Sequence, residues 1–276
     1  MEIKLIATDM DGTFLDDNKI APEENIEALR ECAARGIEVV PATGRTIFAV
    51  PEEIKNLPGV RYAITTNGAV VADLKEGTIL SSCKMSKETA LKIMEMARDS
   101  EDDIMYDVYV EGIGYTSENF MNNLSHYAKS PGIAGLIRKT RRTVPDHIEY
   151  VRQCDSEIEK VNMFFVDMEA RKRMRERLLA MPEIVVTSAI PENLEINAAG
   201  ASKGGALRRL AEYLSINIEE TMAFGDGEND ISMLQEAGCG VAMENAEPSV
   251  KEAADYVTAT NNKAGVAAAI RRFIIG

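Results

Sequence analysis

Short apolar runs alternate with amphipathic stretches over the first part of the chain. Three runs have strand character: Ile3–Ala7, Ile37–Val40 and Arg61–Thr65. The stretch between the first two predicts a helix over Pro22–Ala34, with proline at its start and Gly36 after its end. A second helical stretch precedes the third run. Strands separated by helices of this length predict right-handed βαβ units and a parallel sheet.

The same alternation returns in the last third of the chain. Apolar runs again precede amphipathic stretches, and the pattern ends on a helical segment. The predicted strands are Asn193–Asn197, Thr221–Phe224 and Gly240–Met243, and the predicted helices are Ser202–Leu214, Asp230–Ala237 and Ala264–Ile274.

The middle of the chain has a different pattern, with hairpin signals between helices. The predicted elements are a helix over Ser86–Arg98, strands over Ile104–Val110 and Gly112–Gly114, a helix from Ser117, a strand over Val161–Val166, a helix over Glu169–Leu179 and a strand over Ile184–Thr187. This mixture predicts a small α+β unit inserted into the parallel-sheet domain. We therefore predict a core formed by residues 1–81 and 190–276 and an inserted unit over residues 82–189.

Composition narrows the classes of function. The formal net charge is -14, which argues against a nucleic-acid partner or an anionic membrane, because both need a basic protein face. No apolar run approaches the ~20 residues of a membrane span, and the first residues lack a leader pattern. The four cysteines lack metal-site spacing, which indicates reduced thiols. These features predict a cytoplasmic protein and leave monomer and homodimer open.

The segment Asp9-Met10-Asp11-Gly12-Thr13 follows directly on the first predicted strand. Ligands bind outside the carboxyl ends of strands in an open parallel sheet. Two neighbouring carboxylates repel each other unless a cation neutralises them or one holds a proton, and Mg²⁺ favours such oxygen ligands. A plain turn is the alternative for this segment taken alone. A calcium loop fits poorly, because its glycine belongs at the sixth position and Gly12 stands at the fourth.

Two further segments offer groups for an anion. Ala42-Thr43-Gly44-Arg45 follows the second predicted strand, where a hydroxyl and backbone N–H groups can bind phosphoryl oxygens. Lys203 stands at the start of a predicted helix, whose N-terminus favours anions. Either segment alone is ordinary, since Thr-Gly is common in loops and a single lysine is usually solvated.

A second acidic segment, Gly225-Asp226-Gly227-Glu228-Asn229-Asp230, follows the strand that ends at Phe224. Helix capping would explain one Asp or Asn at this place, but not three acidic residues and an asparagine. An EF-hand is excluded because Ile231 stands where its glycine should be. A second part of a Mg²⁺ site is the better interpretation.

Together these four segments resemble the haloacid dehalogenase (HAD) superfamily, whose phosphatases carry D-x-D-G-T, a Thr, a Lys and a G-D-x-x-x-D loop in this order. Further segments and the size of the insertion resemble its Cof-type, subfamily IIB branch: Thr66–Ala69, Leu194–Ile196, and Gly240–Met243 through Ala254-Asp255. The resemblance implies an α/β fold, a Rossmann-like parallel-sheet core with an inserted α+β cap of the C2B type. It also implies that the cap closes over the site and excludes water.

The resemblance also implies roles for single residues. Asp9 is the nucleophile that forms an aspartyl-phosphate, Asp11 is the general acid and base, and Thr43 and Lys203 bind the phosphoryl oxygens. The implied Mg²⁺ is held by Asp9, the backbone carbonyl of Asp11 and Asp226, with Asn229 or Asp230 acting directly or through water. We also predict that four further residues bind the substrate: Gly44, Arg45, Asn67 and Asn229.

Three functions are compatible with the motifs. The first is hydrolysis of a small phosphate monoester, such as a sugar phosphate or a similar metabolite. The others are a phosphosugar mutase and a non-catalytic metal- or ligand-binding domain, although the latter should have lost Asp9 or Asp11. The basic cluster Arg138, Lys139, Arg141 and Arg142 could bind a second anionic group, but a solvated face is the usual role of such a run.

Overall fold

The computed structural model describes residues Glu2–Gly276 and contains fourteen strands within that range. In chain order they are β1 Leu5–Thr8, β2 Glu38–Pro41, β3 Tyr62–Thr65, β4 Val70–Asp73, β5 Thr78–Ser82, β6 Ile104–Val110, β7 Ile113–Ser117, β8 Arg141–Val144, β9 Lys160–Phe165, β10 Ile184–Thr187, β11 Asn193–Ala198, β12 Thr221–Gly225, β13 Cys239–Ala242 and β14 Tyr256–Val257.

The helices of the described range are α1 Glu23–Ala34, α2 Glu52–Lys55, α3 Lys87–Arg98, α4 Glu118–Asn122, α5 Leu124–Tyr127, α6 Pro131–Thr140, α7 His147–Gln153, α8 Met168–Leu179, α9 Lys203–Tyr213, α10 Ile231–Glu236, α11 Pro248–Glu252 and α12 Gly265–Ile270. None of the helices in residues 2–276 combines the length and the apolar character that crossing a bilayer requires.

The chain divides into two compact units. The core unit comprises Met1–Ser82 and Ser202–Gly276, and the inserted unit comprises Cys83–Ala201. The first boundary lies next to the predicted one. The second was predicted too early, because β11 pairs antiparallel with β9 and β10 and thus belongs to the sheet of the inserted unit. The prediction of Asn193–Asn197 as a core strand is therefore wrong.

The core unit is built on a five-stranded sheet with the order β14-β13-β12-β1-β2, in which all neighbouring strands are parallel. β1 has four buried residues and lies between β12 and β2. Helix α1 packs beside the sheet through Ala28, Leu29 and Cys32. Glu23 and Glu24 lie in its first turn, where negative charge interacts favourably with the helix dipole and stabilises the helix. The carboxyl ends of β1, β2 and β12 thus lie side by side.

The third predicted strand joins this sheet only loosely. β3 and Val60, which precedes it, form only isolated parallel bridges with the region of β2, at Val39–Val60 and Ala42–Ile64. Its ladder partner is β4, which is antiparallel and is followed by β5 in a separate three-stranded sheet. Neither β4 nor β5 was predicted. The helix predicted over Asp230–Ala237 is also shorter, because Glu228–Asp230 forms a 3₁₀ turn and α10 begins at Ile231.

The inserted unit contains a six-stranded sheet with the order β10-β11-β9-β6-β7-β8. Its basic cluster does not act as one solvated face. Arg141 donates from Nε to Asp107 Oδ2 over 2.8 Å and also bonds to the hydroxyl of Tyr109. Its side chain is 10% exposed and that of Asp107 is fully buried. Arg138, Lys139 and Arg142 are exposed, so only Arg141 departs from the expectation.

Candidate active site

The first acidic segment begins where β1 ends, between β12 and β2. The backbone N–H of Asp9 donates to the Phe224 carbonyl over 2.9 Å, which fixes Asp9 against the end of β12. The Asp9 side chain is buried. Gly12 has φ +91°, and a β-carbon there would lie 2.4 Å from Asp226 Oδ2. Glycine therefore permits both the turn and the close approach of Asp226.

Lys203 is the buried cation of the site. Its Nζ donates to Asp9 Oδ1 over 2.7 Å and to Asp230 Oδ1 over 2.5 Å. The Ser202 hydroxyl accepts from the Gly205 N–H and begins α9 at this place. Burial lowers the pKa of Lys203, but the two carboxylates outweigh it and hold that pKa above its ordinary value. The ammonium thus stays charged and links two strand ends.

Asp226 and Asp230 shape the second acidic loop in different ways. The Thr13 hydroxyl donates to Asp226 Oδ1 over 2.6 Å, so the two acidic segments are joined directly. Asp230 Oδ2 accepts from the backbone N–H groups of Asp226 and Gly227 at 3.0 and 2.9 Å. Both oxygens of Asp230 are therefore engaged, one by Lys203 and one by the loop that carries Asp226.

Three carboxylates of this site could hold a metal ion. One oxygen from each of Asp9, Asp226 and Asp230 lies within 4.8 Å of the others. Burial raises the pKa of Asp9 well above its usual range against the pull of Lys203, and the neighbouring acids add to the rise. Burial and Asp230 raise the pKa of Asp226 to about 6. A cation would relieve this crowding of negative charge, and the donor set consists of the hard oxygens that Mg²⁺ or Ca²⁺ prefers.

Asp11 points its carboxylate at two cations. Arg45 binds it with two hydrogen bonds, from Nε to Oδ2 at 2.9 Å and from Nη2 to Oδ1 at 2.8 Å. Lys19 Nζ lies 3.0 Å from Oδ1. Burial opposes ionisation, but Arg45 and then Lys19 hold the pKa of Asp11 below its usual range. The two cations thus favour the ionised form of Asp11, and Arg45, predicted to bind substrate, is its hydrogen-bond partner.

The Thr43 segment forms the loop after β2. The Thr43 N–H donates to the Ile64 carbonyl over 2.8 Å, and its hydroxyl oxygen accepts from the Arg45 N–H over 3.1 Å. Thr43 is buried, and Gly44 lies between Thr43 and Arg45 in the loop. Since the hydroxyl oxygen is the acceptor in this bond, its proton can be donated to a phosphoryl oxygen.

Asn67 and Asn229 meet inside the core unit. Asn229 Nδ2 donates to Asn67 Oδ1 over 3.1 Å, and both side chains are buried. The predicted site residues thus converge at the carboxyl ends of neighbouring strands. The contributions of Thr13 and Lys19 were not predicted from the sequence. Thr13 belongs to the D-x-D-G-T segment, which is the signal that could have identified it, whereas nothing in the sequence marks Lys19.

A family model for haloacid dehalogenase-like hydrolases matches residues 6–270. The chain belongs to this family. It is therefore a hydrolase, and both the resemblance found in the motifs and the predicted fold class are confirmed.

Relatives of this hydrolase match it along nearly its whole length. The 5-amino-6-(5-phospho-D-ribitylamino)uracil phosphatase YcsE of Bacillus subtilis (strain 168) is 34% identical, and the match covers 100% of this chain and 97% of the relative. The solved structure of a haloacid dehalogenase-like hydrolase from B. subtilis has a TM-score of 0.85 at 31% identity, covering 99% of this chain and 100% of that one. A HAD subclass IIB sugar phosphatase gives 0.81 at 26% identity, with the same coverage.

Proposed function

We propose that this hydrolase is a phosphatase that cleaves a small phosphate monoester by transferring the phosphoryl group to Asp9. The observation that carries the proposal is the buried arrangement of Asp9, Lys203 and Asp226 at the strand ends. A carboxylate that is buried beside a fixed ammonium is an oriented nucleophile for phosphorus. The names of the curated relatives, which include several phosphatases, support the same reaction.

In the first step an oxygen of Asp9 attacks phosphorus in line, and the bond between phosphorus and the leaving oxygen breaks. Lys203 holds Asp9 Oδ1 at 2.7 Å, which fixes the orientation of the carboxylate. The Thr43 hydroxyl and Lys203 donate to phosphoryl oxygens, whose negative charge increases during the transfer. The leaving oxygen receives a proton from Asp11, which must enter this step in its protonated form.

In the second step water attacks the phosphorus of the aspartyl-phosphate. Asp11 takes a proton from that water, the bond between phosphorus and the Asp9 oxygen breaks, and inorganic phosphate leaves. The ionised state of Asp11 beside Arg45 suits this step directly. The proton that Asp11 takes from water leaves it in the protonated form that the first step of the next turnover requires.

The metal of the proposed enzyme is Mg²⁺, with Asp9 and Asp226 as its proposed ligands and Asn229 as a further one, acting directly or through water. Bound there, Mg²⁺ would neutralise charge between the carboxylates and the anionic substrate. Asp230 accepts hydrogen bonds from Lys203 and from the loop of Asp226, so we propose that it holds both groups and assists metal binding directly or through water. The backbone carbonyl of Asp11 stays a proposed ligand.

We propose a sugar phosphate or a similar small phosphorylated metabolite as the substrate. Two relatives point to this range, since one is named for a phosphorylated ribityl compound and another as a sugar phosphatase. The net charge of -14 favours neither nucleic acid nor an anionic membrane as a partner, and we propose a cytoplasmic location. That the inserted unit acts as a cap and selects the substrate also stays a prediction.

The test is phosphate release from p-nitrophenyl phosphate with and without Mg²⁺, using the wild type and Asp9→Asn. We expect Mg²⁺-dependent release by the wild type and none by the variant, with equal melting temperatures within a few degrees. A screen of sugar phosphates, nucleotides and phosphoglycolate then ranks substrates. Undiminished release by Asp9→Asn would contradict the mechanism. Isomerisation of a sugar phosphate without net release, dependent on a bisphosphate, would indicate a mutase.

A further inference from the structure

The segment Thr66–Gly68 has an unusual backbone. Three consecutive residues lie in the left-handed region, with φ of 52° at Thr66, 58° at Asn67 and 93° at Gly68. Asparagine and glycine tolerate this region, but a β-branched threonine rarely adopts it. All three residues are buried. Backbone conformations of this kind persist only where their surroundings hold them in place, and they cluster at functional sites.

The contacts of this segment explain what holds it in place. The Thr66 N–H donates to the Arg45 carbonyl over 2.8 Å, and the Asn67 N–H donates to the Thr43 carbonyl over 3.1 Å. Gly68 lies so close to the start of α9 that a β-carbon would be 2.1 Å from the Ser202 carbonyl oxygen. The segment therefore contacts the backbone of two loops that carry predicted site residues.

The side chain of Asn67 bonds to a third loop, the acidic loop that contains Asn229. The amide of Asn229 donates from Nδ2 to Asn67 Oδ1 over 3.1 Å, and both residues are at least nine-tenths buried. Asn229 lies between Asp226 and Asp230 in sequence, in the acidic loop. Thus Asn67 bonds through its backbone to the Thr43 loop and through its side chain to the acidic loop.

A purely structural explanation accounts for part of the backbone conformation and contacts of Thr66–Gly68. β3 and β4 form a hairpin, and Asn-Gly with positive φ at both positions is a favoured hairpin turn. The turn explains the conformations of Asn67 and Gly68. It does not require the Asn67 side chain to bond to a residue far away in sequence, and it does not require Thr66 to adopt a positive φ.

The bond also decides which end of the Asn229 amide is presented to a cation. Its NH₂ group is directed at Asn67, so its carbonyl oxygen is the group that can bind a cation. Mg²⁺ takes oxygen ligands and cannot use an amide NH₂. If Asn67 offered no acceptor, the Asn229 amide could rotate and direct its NH₂ group at the metal.

We propose that Asn67 is a positioning residue that orients the Asn229 amide and thereby sets the affinity of the acidic loop for Mg²⁺. This inference rests on the proposed metal site, but it does not depend on the substrate. Asn67 acts through Asn229, and its left-handed backbone keeps the acceptor in reach. Residues that orient metal ligands in this way typically change metal affinity or activity 10–100-fold when they are replaced.

The test compares Mg²⁺ binding by titration calorimetry, without substrate, in three variants of Asn67. Asn67→Gly tolerates the backbone conformation and removes the acceptor, so we expect Mg²⁺ to bind roughly 10-fold more weakly, or worse. Asn67→Asp tolerates the conformation and keeps an acceptor, so it should bind close to the wild-type level. Asn67→Ala should show the weak binding of Asn67→Gly together with a lower melting temperature, because alanine disfavours a positive φ.

Asn25→Ala is the matched control. Asn25 is a buried asparagine of the same unit whose amide bonds to the Phe14 carbonyl and the Ala267 N–H. This variant should lower the melting temperature and leave Mg²⁺ binding unchanged.

Wild-type affinity in Asn67→Gly would overturn the proposal, as would a wild type that binds no Mg²⁺. A raised KM with unchanged Mg²⁺ binding would make Asn67 a substrate contact instead. Weakened binding in a chain that hydrolyses no phosphate ester would support this inference while rejecting the proposed function.

Discussion

The ammonium nitrogen of Lys203 lies 2.7 Å from Asp9 Oδ1, in a place where the lysine side chain is fully buried. The same nitrogen lies 2.5 Å from Asp230 Oδ1. One cation therefore compensates two buried carboxylates and connects the end of β1 with the acidic loop. Removing a single partner from a buried charge pair is costly, because the remaining charge stays desolvated without compensation.

The first prediction concerns the replacement of this cation. Lys203→Met should lower the free energy of unfolding by about 3–5 kcal/mol, since Asp9 and Asp230 lose their shared partner. It should also abolish measurable phosphatase activity. Adding Asp230→Asn should recover part of the stability without activity, which separates folding from function. Chemical unfolding and phosphate release measure the two effects, and an unchanged unfolding energy in Lys203→Met would contradict the compensation.

The second prediction concerns pH and the metal. Burial and Asp230 raise the pKa of Asp226 from 3.8 to about 6. A carboxyl group with a higher pKa in the folded chain stabilises it at low pH, and this contribution is lost as pH rises from about 4 through about 6. Mg²⁺ binds the ionised carboxylates, so the increase in melting temperature caused by Mg²⁺ should be larger at about pH 7 than at about pH 5. Thermal unfolding with and without MgCl₂ at the two pH values measures this increase in melting temperature.

Asp226→Asn is the control for this pH dependence. Its amide does not titrate, so the effect of Mg²⁺ on its melting temperature should be smaller and should change less between the two pH values. An equally steep dependence in the variant would assign the titration to another group.

The clustering of the candidate site residues could be predicted from the sequence because it depends on local signals. Asp9, Thr43 and Asp226 each follow a short apolar strand, and parallel strands bring their carboxyl ends to one edge. The assignment of Asn193–Asn197 failed for a related reason. An alternating pattern identifies a strand but does not say which sheet it joins, and that choice depends on distant partners in β9 and β10.

Side-chain partners were harder to predict than positions. The pairing of Arg45 with Asp11 joins residues from two loops, and its two-bond geometry depends on how far each side chain reaches. The left-handed conformation of Thr66 opposes the preference of threonine, so only the surrounding backbone contacts account for it. Such features follow from tertiary structure and not from local sequence.

The third prediction concerns Arg45. The guanidinium holds the pKa of Asp11 below its usual range, against the effect of burial. Arg45→Met should raise that pKa, so Asp11 becomes protonated at a higher pH and is lost as the base of the second step. At saturating Mg²⁺, which favours the ionised forms of Asp9 and Asp226, the fall of kcat on the acid side of the pH profile should therefore begin at higher pH than in the wild type. Profiles with p-nitrophenyl phosphate measure the shift, and Arg45→Lys should shift less because it keeps the charge. A lower kcat with an unshifted acid limb would show that Arg45 acts only on substrate.

The last prediction concerns the one member of the basic cluster that is not solvated. Arg141 is bound to the fully buried Asp107, and its guanidinium lies 4.6 Å from the centroid of the Tyr109 ring. Arg141→Met should lower the free energy of unfolding by about 3–5 kcal/mol, because it leaves the Asp107 carboxylate buried without a counter-ion.

Arg138→Met is the matched control for Arg141, since Arg138 is exposed in the same cluster and a surface substitution should change stability by less than about 0.5 kcal/mol. The double variant Arg141→Met with Asp107→Asn should be more stable than Arg141→Met alone, because it removes the uncompensated charge. Chemical unfolding at one pH measures all three variants. If Arg141→Met and Arg138→Met unfolded at the same denaturant concentration, Arg141 would be a solvated residue like its neighbours. If only Arg141→Met is destabilised, the members of the basic cluster have different roles. Arg141 forms a buried ion pair within the sheet of the inserted unit, and the other side chains are exposed.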